Sequence, residues 1–122
     1  MILTRLKNDS KAIINLNRIQ KSAKKRIEQK IKNKTYEFES ISCQICDSEN
    51  KEIIGKKDRY GLSYSTNICK DCGLVYTSPR MNQESYNEFY DQEYRDLYVG
   101  KPTPTDDFFY SQFYRAKKIH SF

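Results

Sequence analysis

Four cysteines, at positions 43, 46, 69 and 72, constrain the fold of this chain more than any other feature. They form two Cys-x2-Cys pairs, Cys43/Cys46 and Cys69/Cys72, with 22 residues between the pairs. The start of the sequence carries no apolar export signal, so we expect a cytoplasmic chain in which disulfides are not the default. An even number of cysteines in paired spacing instead predicts a metal site with four thiolate ligands.

Each pair lies in a short turn whose backbone suits metal binding. The residue after the second cysteine of such a turn needs a left-handed backbone, which Gly73 provides in the second turn and Asp47 tolerates in the first. Because cysteine fills all four ligand positions, none stays open for water, and we expect a structural rather than a catalytic ion. Zn²⁺ is the expected ion, while an iron site, a redox-active pair of motifs and four free thiols stay open as alternatives.

The residues around the cysteines are too few to form a large apolar core. Residues 41–80 are expected to depend on metal ligation, which is worth about 10–16 kcal/mol for structural zinc. Alternating apolar residues predict short strands over 36–42, 52–54, 60–68 and 74–76. We therefore expect a small, metal-stabilised α+β fold, with zinc-ribbon β-hairpins between an N-terminal basic helix and C-terminal helices.

The positive charge is concentrated in one part of the chain. The 122 residues carry a net charge of +6, but residues 1–35 hold a balance of +9 and the rest a balance of −3. Apolar residues at steps of three and four predict a helix over 11–32, with Asp9-Ser10 as its N-cap. The apolar stripe is thin, so this arm should pack on the rest of the protein or a subunit, or contact nucleic acid or an anionic membrane.

Aromatic residues dominate the C-terminal third. A short helix is expected over 82–90, and Tyr86, Tyr90, Tyr94 and Tyr98 follow at steps of four, either as a packing face or as a stacking platform. Residues 99–105 contain two prolines and a glycine and predict a linker. Thr105 is the expected N-cap of a last helix, whose phenylalanines should be buried against another domain.

One stretch resembles a known family. The segments 58–60 and 69–80, followed by Glu84-Ser85-Tyr86, Phe89-Tyr90 and Tyr94, resemble the N-terminal zinc-ribbon region of a group of class I SAM-dependent methyltransferases. The resemblance covers residues 43–122 and implies a Rossmann-like catalytic domain after the last helix. Together with the charge pattern and the predicted elements, it leads us to expect a basic helical arm (1–35), a zinc ribbon (36–80), an aromatic-rich short helix (81–98), a linker (99–105) and the start of a helix leading to the catalytic domain (106–122).

The cofactor signature of that family is not found in this sequence. The four glycines, at 55, 61, 73 and 100, form no G-x-G-x-x-G cluster, so we expect a fragment that binds no SAM and has no catalytic residues of its own. Its partner would be a missing or separately encoded methyltransferase domain, acting on a small molecule or sugar rather than on nucleic acid. The alternatives are a stand-alone zinc ribbon that binds nucleic acid through the basic helix, and an interaction or redox protein.

Overall fold

The computed structural model describes residues 2–101 and 103–121, which form a small α+β fold with antiparallel sheets, as the sequence predicts. Its regular elements, in chain order, are α1 (Arg18–Lys32), β1 (Phe38–Glu39), β2 (Lys51–Lys57), β3 (Ser63–Cys69), β4 (Val75–Thr77), β5 (Arg80–Met81), α2 (Gln83–Gln92) and α3 (Asp106–His120). A 3₁₀ turn at Thr4–Leu6 precedes α1, and a π-helical turn at Arg95–Val99 follows α2.

The strands form two antiparallel sheets. β2, β3 and β4 are consecutive neighbours in a three-stranded sheet, in which Lys51 lies opposite Cys69 and Asn67 lies opposite Tyr76. β1 pairs with β5 in a separate two-stranded ribbon. The three-stranded sheet therefore ends at one of the cysteines, which ties the metal-ligand region to regular structure.

The strand expected over 36–42 is reduced to the two residues of β1. Tyr36 turns inward before the strand and is 2% exposed. After the strand, the Ile41 backbone N–H donates to Ser78 Oγ at 3.0 Å, and Ser78 Oγ donates back to the Ile41 carbonyl at 3.1 Å. A side chain thus takes the place of a strand neighbour at Ile41.

α1 begins at Arg18, whereas the apolar pattern predicts a helix over 11–32. The reason is a capping box: the Asn17 side chain accepts from the Gln20 backbone N–H, and the Gln20 side chain accepts from the Asn17 backbone N–H, both at 2.9 Å. This reciprocal pair satisfies two N–H groups at the helix start. The helix therefore begins where both side chains can cap it.

The residues expected to cap a longer helix make other contacts. The Asp9 carboxylate accepts from Lys57 Nζ at 2.7 Å, which lowers the pKa of Asp9. Further along, the Ile13 backbone N–H donates to the Arg59 carbonyl at 2.9 Å. The expected Asp9-Ser10 N-cap is therefore wrong, because residues 9–13 lie against the β2–β3 hairpin instead of starting a helix.

One hydrophobic core joins α1 to the rest of the chain. It consists of Ala23, Ile27, Tyr36, Tyr60, Leu62, Phe89 and Leu97. The helix contributes two of these residues, and the others come from the segment before β1, the β2–β3 turn, α2 and the π-helical turn. The central part of the apolar stripe of the basic segment, at Ala23 and Ile27, is therefore buried inside this protein.

A buried carboxylate binds α1 to the end of α2. The side chain of Glu93 is 2% exposed and accepts hydrogen bonds from Arg26 Nε at 3.0 Å, Arg26 Nη2 at 2.8 Å and Lys30 Nζ at 3.0 Å. Arg26 also binds Asp96 at 2.8 Å, and Lys30 binds Glu88. Two cations of the basic segment are thus used in ion pairs within the fold.

The last helix lies outside the core. Thr105 Oγ1 accepts from the Phe108 backbone N–H at 3.2 Å, which confirms the expected N-cap. None of the described residues of α3 is buried, and the phenylalanines at 109 and 113 are 64% and 54% exposed. α3 therefore presents an aromatic surface that the described residues do not cover.

Candidate metal centre

The four cysteines come from two loops and one strand end. Cys43 and Cys46 lie between β1 and β2, Cys69 is the last residue of β3, and Cys72 lies in the turn before β4. Cys43 and Cys69 are buried, whereas Cys46 and Cys72 are exposed. Each pair thus offers one sulfur from the inside and one from the solvent side.

The first turn has the backbone that the sequence predicts. Asp47 has a φ of 59°, and its N–H donates to the Cys43 carbonyl at 2.8 Å. The Asp47 carboxylate accepts from Ser42 Oγ at 2.6 Å. Short polar side chains of this kind tolerate the left-handed region because they bond locally.

The second turn repeats this geometry. Gly73 has a φ of 80°, and its N–H donates to the Cys69 carbonyl at 2.9 Å. Each turn is also closed by a bond from its first cysteine N–H to the carbonyl five residues later, at 2.9 Å for Cys43 to Ser48 and 2.8 Å for Cys69 to Leu74. The predicted left-handed positions are confirmed in both turns.

The sulfur atoms have the spacing that a four-thiolate site needs. All four Sγ atoms lie within 4.8 Å of one another. Two contacts join the turns: Cys43 Sγ to Cys72 Sγ at 3.4 Å and Cys46 Sγ to Cys69 Sγ at 3.6 Å. A tetrahedral ion with metal–sulfur bonds of about 2.3 Å requires sulfur separations of roughly 3.8 Å, so the four cysteines are positioned to hold a metal ion.

Backbone N–H groups point at the sulfurs and favour thiolates. The N–H of Cys46 donates to Cys43 and lowers the pKa of that thiol to about 7. The N–H groups of Ser48 and Leu74 likewise donate to Cys46 and Cys72. Desolvation and hydrogen bonds among the thiols outweigh these two bonds, however: they raise the pKa of Cys46 to about 12 and also raise the pKa of Cys72. Four thiols this close resist joint ionisation until a cation is present, and a metal ion removes that penalty.

An aspartate inside the second motif ties the two turns together. Asp71 Oδ1 accepts from Asn50 Nδ2 at 3.1 Å, and Asp71 Oδ2 accepts from Ser48 Oγ. These bonds, from Ser48 first, lower the pKa of Asp71. Nearby, the Lys70 N–H donates to the Asn50 carbonyl at 2.9 Å. The sequence analysis did not predict the contacts of Asp71 with Ser48 and Asn50, although the position of this acid between Cys69 and Cys72 could have indicated a role at the site.

A small apolar cluster surrounds the buried side of the site. Cys43 and Cys69 pack with Tyr76, which is 8% exposed, and with the partly buried Ile41 and Leu74. Burial, followed by the negative field of the cysteines, raises the pKa of Tyr76. The inner pair of sulfurs is thus shielded from water, as suits a structural ion.

The four tyrosines predicted to form a row do so, and their rings contact one another. Neighbouring ring centroids of Tyr86, Tyr90, Tyr94 and Tyr98 lie 6.3, 5.1 and 4.7 Å apart. Phe89 meets the last three of them edge-on. Because the rings lie against one another, the row fits an aromatic packing face better than a platform between whose rings bases would stack.

Comparisons with protein-family models, curated proteins and solved structures find no match for this chain. Over residues 2–101 and 103–121, no helix has the length and apolar character needed to cross a membrane.

Proposed function

We propose that the four cysteines hold a structural Zn²⁺ as a zinc ribbon, and that the chain is the zinc-binding N-terminal module of a SAM-dependent methyltransferase. The observation that carries the metal site is the convergence of four sulfurs within 4.8 Å, from two turns of matching backbone geometry. The methyltransferase assignment rests on the sequence resemblance.

The chemistry of the donors favours zinc in a structural role. Thiolate sulfur is a soft ligand, and four such ligands in tetrahedral spacing suit Zn²⁺. When bound, the ion cross-links the β1–β2 loop to the β3–β4 turn. The chain's own contribution is to orient the sulfurs through the N–H donors, to tie the turns through Asp71 and to exclude water with Tyr76.

The positions of the glycines support a SAM site on a separate domain. Gly55 lies within β2 and Gly61 in the turn after it, while Gly73 follows the second motif and Gly100 ends the π-helical turn. A Rossmann-type cofactor site needs a glycine-rich turn between a strand and a helix. None of the four glycines has that position, so the methyl donor would bind a partner domain.

The role of the module in such an enzyme would be to dock on the catalytic domain and shape the entrance for the methyl acceptor. The exposed Phe109 and Phe113 of α3 would be covered by the catalytic domain, since an exposed aromatic surface marks an interaction site. We propose a small molecule or a sugar as the acceptor.

The metal assignment is tested by elemental analysis of the purified chain. We expect one zinc per chain, lost in the Cys69→Ser variant and kept in Ile45→Ala, a change at a 74% exposed position in the first turn. Iron in place of zinc, or metal content that is the same in both variants, would overturn the assignment.

The methyltransferase assignment needs its own test, because a zinc site alone is compatible with other functions. Coding DNA adjoining codon 122 should encode a glycine-rich strand–turn–helix, in the same or an adjacent reading frame. A domain of a different kind there would refute the assignment. Titration calorimetry of the purified chain should show no SAM binding, and micromolar affinity would mean that the cofactor site is not on a separate domain.

A further inference from the structure

An open groove of about 810 Å³ runs along the solvent-facing side of α1. One wall is formed by the segment before the helix and the other by the helix itself. Its lining comprises Ala12, Ile14, Asn15, Leu16, Arg18, Lys21, Ser22, Lys24, Lys25 and Glu28. Four of these ten residues are cations and one is an acid, so the groove has a net charge of +3.

The cations of the groove have two different roles. Lys24 is 16% exposed, donates to the Ser10 carbonyl at 2.6 Å and pairs with Glu28 at 3.0 Å, so it holds one wall to the other. Arg18, Lys21 and Lys25 are exposed, and their side chains make no ion pair or hydrogen bond within the described part of the chain. These three charges are therefore available to a ligand.

The spacing of the free cations places them in one row. Positions i, i+3 and i+7 share a helix face, and seven residues span about 10 Å along the axis. The neutral polar side chains of Asn15 and Ser22 lie in the same groove and can donate to phosphate oxygens. Such a row suits an extended ligand that carries one negative charge per repeating unit.

The burial of the apolar face of α1 favours nucleic acid over a membrane as the ligand of this groove. A helix that lies on a membrane inserts its apolar face between the lipids. In α1 that face packs in the core and cannot insert into lipid, because Ala23 and Ile27 are 0% and 1% exposed. What α1 still presents is its charged face, which suits a hydrated polyanion.

We propose that this groove binds the phosphate backbone of a nucleic acid through Arg18, Lys21 and Lys25. None of the residues that line it is aromatic, so binding should depend on salt and not on base sequence. This site shares no residue with the metal centre and requires no methyltransferase activity, so it stands or falls by its own test.

The test measures binding of the full, metal-loaded chain to a 20-nucleotide uridine RNA as a function of salt. Three phosphate contacts predict a slope of about −2 in log affinity against log salt, which is about a 20-fold loss of affinity between 50 and 200 mM. In the double variant Lys21→Ser/Lys25→Ser, one contact remains, and the same salt change should weaken binding by only about 3-fold.

The matched control is Lys117→Ser/Lys118→Ser, which removes the same charge from exposed positions in α3. It should keep the wild-type affinity and salt slope. Equal loss in both variants would mean attraction by net charge alone and would overturn the site. Absence of RNA binding at 50 mM salt would do the same, as would a preference for vesicles of phosphatidylserine and phosphatidylcholine over RNA.

Discussion

Glu93→Ala should destabilise this protein by about 3 kcal/mol, because Glu93 is a buried anion between two cations of α1. Its side chain is 2% exposed and accepts three hydrogen bonds of 2.8–3.0 Å from Arg26 and Lys30. Removing one partner of a buried ion pair costs roughly 3–5 kcal/mol, and the cost is greatest where the remaining charge keeps no other counter-ion.

The lower end of that range applies here. Arg26 is 44% exposed and keeps Asp96 at 2.8 Å, and Lys30 keeps Glu88, so neither cation is stranded when Glu93 is lost. For a domain of 60–100 residues, 3 kcal/mol corresponds to a fall in melting temperature of roughly 12–24 °C. Asp96→Ala is the control, because the pair it breaks is more exposed and should cost about 1 kcal/mol or less.

Thermal and urea unfolding followed by circular dichroism measure both variants, with zinc held at a fixed saturating concentration. The sharper version is a double-mutant cycle with Arg26→Met and Glu93→Leu. We expect the loss of stability in the double variant to be at least ~2 kcal/mol smaller than the sum of the losses in the two single variants. The reason is that the apolar Met–Leu pair leaves no charge buried. If Glu93→Ala costs no more than Asp96→Ala, the buried pair does not hold α1 in place.

Three further predictions concern the metal, the turns and pH. Complete chelation should abolish the amide chemical-shift dispersion of residues 41–50 and 69–77, and unchanged spectra after metal removal would contradict a structural ion. Gly73→Ala should lower the free energy of urea unfolding by about 1 kcal/mol, because only its φ of 80° opposes a side chain. Gly61→Ala should lower it by at least twice as much, since its Cβ would lie 2.7 Å from the Lys11 backbone. Burial raises the pKa of Asp58 from 3.8 despite its backbone hydrogen bonds. The folded protein therefore binds this proton more tightly than the unfolded chain, and the free energy of unfolding should rise as the pH falls through the raised pKa towards 3.8. The Asp58→Asn variant should not show this rise.

The parts of the fold that sequence reasoning predicted are held by neighbours in the chain. The left-handed turns at Asp47 and Gly73 are closed by bonds to residues four positions away. The Thr105 cap likewise acts on the N–H three residues later. Residue type and spacing are sufficient to specify such contacts, which is why the metal site could be placed before its geometry was known.

The parts that were missed depend on partners far along the chain. Asp9 looked like an N-cap, but its partner is Lys57, and the bond that holds Arg26 reaches across 67 residues to Glu93. Charge counting gave the correct balance for residues 1–35 but could not show which cations face inward. That distinction needs the tertiary fold, and it decides which charges a ligand can meet.

The β2–β3 hairpin connects the locally formed metal turns to the core, which is formed by residues far apart in the chain. β3 ends at Cys69 in the metal centre, while the turn at its other end places Tyr60 and Leu62 in the core with α1. The seven residues of β3 span roughly 24 Å, so one rigid hairpin links the two clusters. Ordering of the two cysteine turns should therefore restrict the hairpin that α1 packs against. The turn of that hairpin carries the Arg59 carbonyl, which accepts from the backbone N–H groups of Ile13 and Ile14 in the segment before the helix. By this path a bound ion would stabilise the wall of the groove along α1 without contacting it. If the groove binds RNA as proposed, the metal-free protein should bind the same RNA more weakly, and equal affinity with and without metal would contradict this coupling.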